Sequence, residues 1–300
     1  MSESTPELVP DFAVSQFTTW NQTFEEDIEL FVRQGIATIE LCERKLAEDT
    51  GKASEQLALL KEAGLRVSSI QPRVHALFPD SMNPANDHVE RRAQHLRDTI
   101  VLMADHFPGT PLVTITGNAP RYNYREAWNI ALRNYRRLAE ITEDHGMTLA
   151  FEPLNPILMN NDTFISSLDG ALELIEAVNS ASFGLTLDVW HVWHEADIHR
   201  RISRLGSELQ VVHVCDWPAD RPRAPGDRVL PGDGCIDLRG LLGAIEASGY
   251  RGAYSLEVFS EGWLPDSIWK EPGERVLKRA FAGFMQAWQE RHHYAPGGQP

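Results

Sequence analysis

Short apolar runs rich in β-branched residues alternate with amphipathic segments along this chain, one strand–helix unit about every 30 residues. This rhythm constrains the fold more than any other feature. A strand, a covering helix and a second strand form a right-handed parallel pair, and repeating the unit builds a parallel sheet. Eight such units predict an α/β fold, a single closed (βα)8 barrel spanning residues 1–300 with no linker or composition shift to divide it. Strands are expected at residues 12–15, 38–41, 66–71, 112–116, 147–152, 184–188, 210–213 and 254–257. Between them, Thr23 caps a helix ended by Gly35, Ser54 caps one ended by Gly64, and Asp237 caps residues 238–247. Further helices are expected at residues 85–106, 125–144, 167–178, 196–205 and 273–291, and the Pro/Gly-rich tail, residues 293–300, is expected to be mobile.

Four of these strands end in a residue that could bind a cation. The fifth delivers Glu152 just before Pro153, which cannot extend a ladder. The sixth ends at Asp188, the seventh carries His213, and the eighth ends at Glu257. Each alone reads as a cap or loop partner. Together they are consecutive strands whose C-terminal ends meet at one mouth of a barrel, where such proteins hold their sites. Three carboxylates and one imidazole form a shell for one divalent ion, with oxygen-rich ligation favouring Mn²⁺, Mg²⁺ or Co²⁺ and leaving Zn²⁺ as a further option. Side chains two residues below, Ala150, Thr186, Val211 and Ser255, are small or medium, as a narrow interior requires.

Around this set, His191 lies three residues beyond Asp188 and reads as a loop histidine facing substrate oxygens rather than a ligand. Arg228 precedes a Pro-Gly-Asp-Gly turn and is a candidate for binding a substrate oxygen; its alternative is pairing with Asp227 or Asp233. Trp20, Trp190, Trp193 and Trp217 suit a sugar face or, equally, loop packing. Glu40, Gln71 and His75 are candidate pocket residues, and Asn155 a candidate to orient Glu152. Cys215, in phase with His213, reads as interior filling.

Charge and cysteine content exclude other classes. The formal net charge of −15 opposes a nucleic-acid or anionic-membrane partner. No apolar run approaches the ~20 residues of a membrane span, and residues 1–10 lack a basic and an apolar signal region. Three cysteines at no zinc spacing read as reduced thiols of a cytoplasmic protein. The last helix, with Leu277, Phe281, Phe284, Met285 and Trp288, permits a homodimer.

Glu152-Pro-Leu-Asn155, Asp188-Val-Trp-His191, Val212-His-Val-Cys-Asp216, Pro231-Gly-Asp-Gly-Cys-Ile-Asp237 and Ser255-Leu-Glu-Val-Phe-Ser260 together resemble the xylose isomerase-like TIM-barrel superfamily. Within it, the chain is similar to the sugar phosphate isomerase/epimerase group, near the inosose isomerases and D-tagatose 3-epimerase-type enzymes. The resemblance implies that Glu152, Asp188, His213 and Glu257 bind the metal. It implies that Glu152 and Glu257 double as an acid/base pair and that His191 and Arg228 hold substrate oxygens. It also implies a small sugar or cyclitol substrate and a proton-transfer isomerase or epimerase. A dehydratase of the inosose or 3-dehydroshikimate type is the alternative on the same site. Three-metal endonuclease IV-type enzymes share the superfamily. Here the third strand ends Ile70-Gln71-Pro72 and the fourth Thr116-Gly117-Asn118, which leaves two of those metals without ligands. A non-catalytic sugar-binding barrel is the remaining option, disfavoured by the stability cost of so many converging charges.

Overall fold

The computed structural model describes residues 9–85, 88–159, 161–220, 222–224 and 226–291. The strands are β1 (Phe12–Ser15), β2 (Thr38–Cys42), β3 (Arg66–Gln71), β4 (Pro111–Thr114), β5 (Thr148–Phe151), β6 (Phe183–Asp188), β7 (Leu209–Val214) and β8 (Tyr254–Leu256). They pair in sequence order, all parallel, and β8 closes on β1. The chain is therefore a closed (βα)8 barrel, as its alternating pattern requires. The helices are α1 (Phe24–Gln34), α2 (Thr50–Glu62), α3 (Val89–His106), α4 (Tyr124–Asp144), α5 (Leu168–Val178), α6 (Val189–Val192), α7 (Ile198–Ile202), α8 (Leu238–Ala247) and α9 (Gly273–Glu290).

Local chemistry sets the helix ends. Thr23 and Glu26 form a reciprocal capping box, and Gly35 closes α1 in the left-handed conformation. α1 turns Phe24, Leu30 and Phe31 onto the barrel, each burial stabilising by roughly 1.5–3 kcal/mol. Ser167 and Asp237 cap α5 and α8.

Three expectations are corrected. The cap of α2 is Asp49, which accepts the Lys52 N–H at 2.9 Å, so the helix starts before Ser54. β4 stops at Thr114 because Ile115 leaves the ladder to donate to the His75 carbonyl at 3.0 Å. The helix expected over 196–205 is the shorter α7 (Ile198–Ile202), because Asp197 before it takes a left-handed φ of 54°. The third helix begins at Val89; the expected start near residue 85 runs into residues 86–87, outside the described residues, as is the tail, 293–300.

The core is a continuous layer between barrel and helices. The apolar stripe of α9 belongs to it: Leu277, Phe284 and Trp288 are buried against β1 and β8, leaving Phe281 46% exposed. All three cysteines are free thiols. No described helix is long and apolar enough to cross a membrane.

Candidate active site and metal centre

Each strand exit delivers its polar side chain for a local reason. The Glu152 N–H makes a last ladder bond to the Thr114 carbonyl at 2.9 Å, and Pro153 then ends β5. Asp188 closes β6 and caps α6: its Oδ1 accepts the Trp190 N–H at 2.8 Å, which leaves Oδ2 for other partners. His213 is paired in register with Asp188 on one side and Ser255 on the other. Glu257 follows β8, its N–H on the Val214 carbonyl. The candidate ligand atoms of Glu152, Asp188, His213 and Glu257 all lie within 4.8 Å of one another, and all four residues are buried. Beneath them Val113, Ala150 and Val211 form a separate apolar plug, and the Thr186 hydroxyl donates to the Ala150 carbonyl.

A fourth acid shares this interior. Glu40, fully buried on β2, meets His213 Nε2 at 2.6 Å, while His213 Nδ1 lies 3.3 Å from Glu152 and 3.7 Å from Glu257. Arg228 Nη1 donates to Asp188 Oδ2 at 2.6 Å and Glu257 Oε2 at 3.0 Å, and its guanidinium stacks on Trp190 and Phe259. Arg228 therefore does not pair with Asp227, which takes Arg223, or with Asp233, which takes Arg279. Four buried carboxylates face one guanidinium and two imidazoles, those of His213 and His191. That excess of negative charge, on hard oxygen donors with one nitrogen, fits a divalent cation.

The titration pattern follows from crowding. Burial pushes the Glu257 carboxyl up to about 8 and raises Glu152. Burial opposes charging Asp188 too, but Arg228 and His191 outweigh it and hold its carboxyl below the usual range. Burial likewise opposes charge on His213, yet Glu40 and Glu257 keep its ring well above the ordinary histidine value. His191 is different: burial lowers it to about 3, so its ring is neutral. The Asn155 N–H donates to His191 Nδ1 at 3.0 Å, so the ring proton sits on Nε2. That Nε2 lies 3.4 Å from Arg228 Nη2, 3.5 Å from Asp188 and 3.9 Å from Glu152. Asn155 thus fixes His191 and not, as expected of a residue so near it, Glu152.

A cavity of about 380 Å³ opens above the cluster. Glu152, Glu257, His191, Arg228, Gln71 and His75 line its polar end. One flank is aromatic: Phe17, Trp20, Phe259 and Trp269 run as adjoining rings 4.7–6.5 Å apart. Of the four tryptophans expected there, Trp20 alone faces the cavity. Trp190, Trp193 and Trp217 pack on one another behind it. Phe17, Phe259 and Trp269 were not foreseen, because loop residues brought together by barrel closure carry no periodic signal. Cys215 is buried 3.7 Å from Arg228 Nη1, with burial raising its thiol well above the ordinary range, and so is unreactive filling.

The family model for xylose isomerase-like TIM barrels matches residues 28–286, and the chain belongs to that family. It is 28% identical over 250 residues to a 3-dehydroshikimate dehydratase of Pseudomonas aeruginosa, covering 80% of this chain and 37% of the dehydratase. It is 29% identical over 126 residues to an inosose isomerase of Halalkalibacterium halodurans, covering 41% of this chain and 43% of the isomerase. The chain therefore spans less than half the length of either relative. The solved IOLI protein with a bound zinc atom shares the fold at a TM-score of 0.72 and 18% identity, covering 95% of this chain and 99% of that one.

Proposed function

We propose that this chain is a divalent-metal-dependent isomerase or epimerase of a neutral keto sugar or keto-cyclitol. The observation that carries the reading is that Glu152 and Glu257 both line the cavity and approach the same atom, His213 Nδ1, at 3.3 and 3.7 Å. Two carboxylates converging on one centre can take a proton from one face of a carbon and return it to the other face or to its neighbour. Glu152, Asp188, His213 and Glu257 would hold the ion, with Mn²⁺, Mg²⁺ or Co²⁺ favoured by the oxygen-rich set and Zn²⁺ kept in the test by the IOLI structure. When bound, such an ion supplies Lewis-acid polarisation of a substrate carbonyl, which acidifies the adjacent C–H. His191 then donates its Nε2–H to a substrate oxygen, and the aromatic flank covers the ring's apolar face.

Neutrality of the substrate is read from charge. Arg228 is the one guanidinium or ammonium group among the described lining residues, and it is engaged by Asp188 and Glu257. Glu152, Glu257, Asp162 and Glu261 also line the cavity, so among the described lining residues a carboxylate or phosphate meets no free side-chain cation. A dehydratase is the second reading, favoured by the P. aeruginosa relative that matches 80% of the chain. It shares the first proton abstraction; the enolate then expels the β-hydroxyl, which leaves as water with a proton given by Glu152 or Glu257.

Proton NMR in D₂O separates the two, using metal-loaded protein with ketohexoses, inososes and 3-dehydroshikimate, and EDTA before each spectrum. Deuterium entering one carbon without loss of water supports the isomerase. A new vinyl proton moves the chain to the dehydratases. Glu257→Gln should cut exchange by about 10²–10⁴-fold; undiminished exchange in that variant would sink the assignment.

A further inference from the structure

We infer that Glu40 is a positioning residue, holding the ring of His213 so that Nδ1, and not Nε2, is turned toward Glu152 and Glu257. The inference rests on the metal-centre reading above and deepens it. Glu40 comes from β2, on the far side of the barrel from the candidate ligands, and no solvent reaches it. A carboxylate only accepts hydrogen bonds, so the nitrogen at 2.6 Å from Glu40 Oε2 carries a proton, and Nδ1 is the nitrogen left to give up its own and bind an ion. Flipping the ring would set a C–H against Glu40 and strip a fully buried carboxylate of the one charged partner that pairs with it among the described residues. Glu40 is itself held: the Ser69 hydroxyl donates to Oε2 at 2.7 Å. Gln71 reaches Oε1 at 3.4 Å and also donates to Glu257 Oε1 at 3.1 Å. One acid thus orients His213 directly and is tied through Gln71 to Glu257. A histidine ligand whose second nitrogen donates to a carboxylate is fixed in tautomer and made a stronger donor, and losing that partner costs about 10–100-fold in metal affinity.

The test titrates Mn²⁺ into apo-protein, reading free Mn²⁺ by electron paramagnetic resonance, for the unaltered chain, Glu40→Gln and Glu40→Leu. Circular dichroism and thermal melts of the apo-proteins check folding. The expected result is Mn²⁺ affinity weakened about 10–100-fold in Glu40→Leu and less in Glu40→Gln, which keeps an acceptor for the Nε2–H. Binding within two-fold of the unaltered chain in Glu40→Leu overturns the role of Glu40 and leaves the metal centre standing. No binding by the unaltered chain removes the metal reading and this inference with it. Should Glu40→Leu not fold, ¹⁵N-histidine NMR of the Zn²⁺-loaded unaltered chain decides: a proton on Nε2 and a ligating Nδ1 support the assignment, and the reverse overturns it.

Discussion

Asp216 holds the loop that carries Arg228, and removing its charge tests how far the site depends on that loop. The Asp216 side chain is 1% exposed and accepts four backbone N–H groups. Oδ1 takes Trp217 at 2.8 Å and Ile236 at 2.9 Å; Oδ2 takes Gly232 at 3.0 Å and Gly234 at 3.1 Å. Its backbone pairs with Val229, the residue after Arg228, in an antiparallel bridge. In Asp216→Asn one oxygen becomes an NH₂ group, which faces two N–H donors and satisfies neither. Each buried unsatisfied donor costs about 1–3 kcal/mol, and water reaching exposed Gly232 reduces the sum, so the loss should be roughly 2–4 kcal/mol. For a chain of this size that is a melting point lower by roughly 3–6 °C. The assay is urea unfolding followed by circular dichroism. A parallel substrate titration should give a raised KM as the Arg228 segment loosens. A loss below about 0.5 kcal/mol would refute the argument that these four bonds fasten the loop.

Two further perturbations test packing and charge away from the centre. Gly117 has φ +78°, and a Cβ there would lie 2.2 Å from the Phe78 carbonyl oxygen, so Gly117→Ala should destabilise by roughly 2–5 kcal/mol from backbone strain and overlap together; a thermal melt within 2 °C of the unaltered chain would contradict this. Burial pushes the Asp27 carboxyl up to about 6 even though Lys45 lies 2.6 Å away. A raised carboxyl binds its proton more tightly folded than unfolded. Its contribution is therefore fully present below pH ~4 and lost as pH rises to ~6. Measured in urea, Asp27→Asn should gain about 2 kcal/mol relative to the unaltered chain between pH 4.5 and 7. A pH-independent difference between the two proteins would show that burial does not govern Asp27.

Much of the barrel is legible in sequence because period and punctuation are local. The alternation of apolar runs, the Thr23 and Asp237 caps and the small residues beneath the mouth are each decided within a few positions. The convergence of Glu152, Asp188, His213 and Glu257 follows from four consecutive parallel strands, whose ends must be neighbours once the sheet is known. Boundaries are less legible where two residues compete for one role. Asp49 and Ser54 are both good caps, and the chain uses the earlier because Thr50 can already take helical geometry. Roles are illegible where the partner lies across the barrel. Glu40 in Ile-Glu-Leu reads as a pocket residue, but it lies outside the cavity lining and is taken instead by His213, 173 positions away. Asn155 stands three residues from Glu152 yet serves His191, because Pro153 turns the chain away from the strand it has just left.

Closure is what gives the site its depth. The ends of strands β5 to β8 supply the candidate ligating atoms, and they would do so in an open sheet as well. The groups that orient those atoms come from β2 and β3, as Glu40 on His213 and Gln71 on Glu257, and they reach across the interior only because β8 pairs with β1. The aromatic flank is assembled the same way, from the segment after β1 and the segment after β8. The interior is therefore split by strand into donors and supports, with an apolar plug below both. On the proposed function, substitution of Glu40 on β2 should then act on metal affinity, and substitution of Glu152 or Glu257 on proton transfer as well. That division follows from geometry alone, since Glu40 does not reach the cavity whereas Glu152 and Glu257 do.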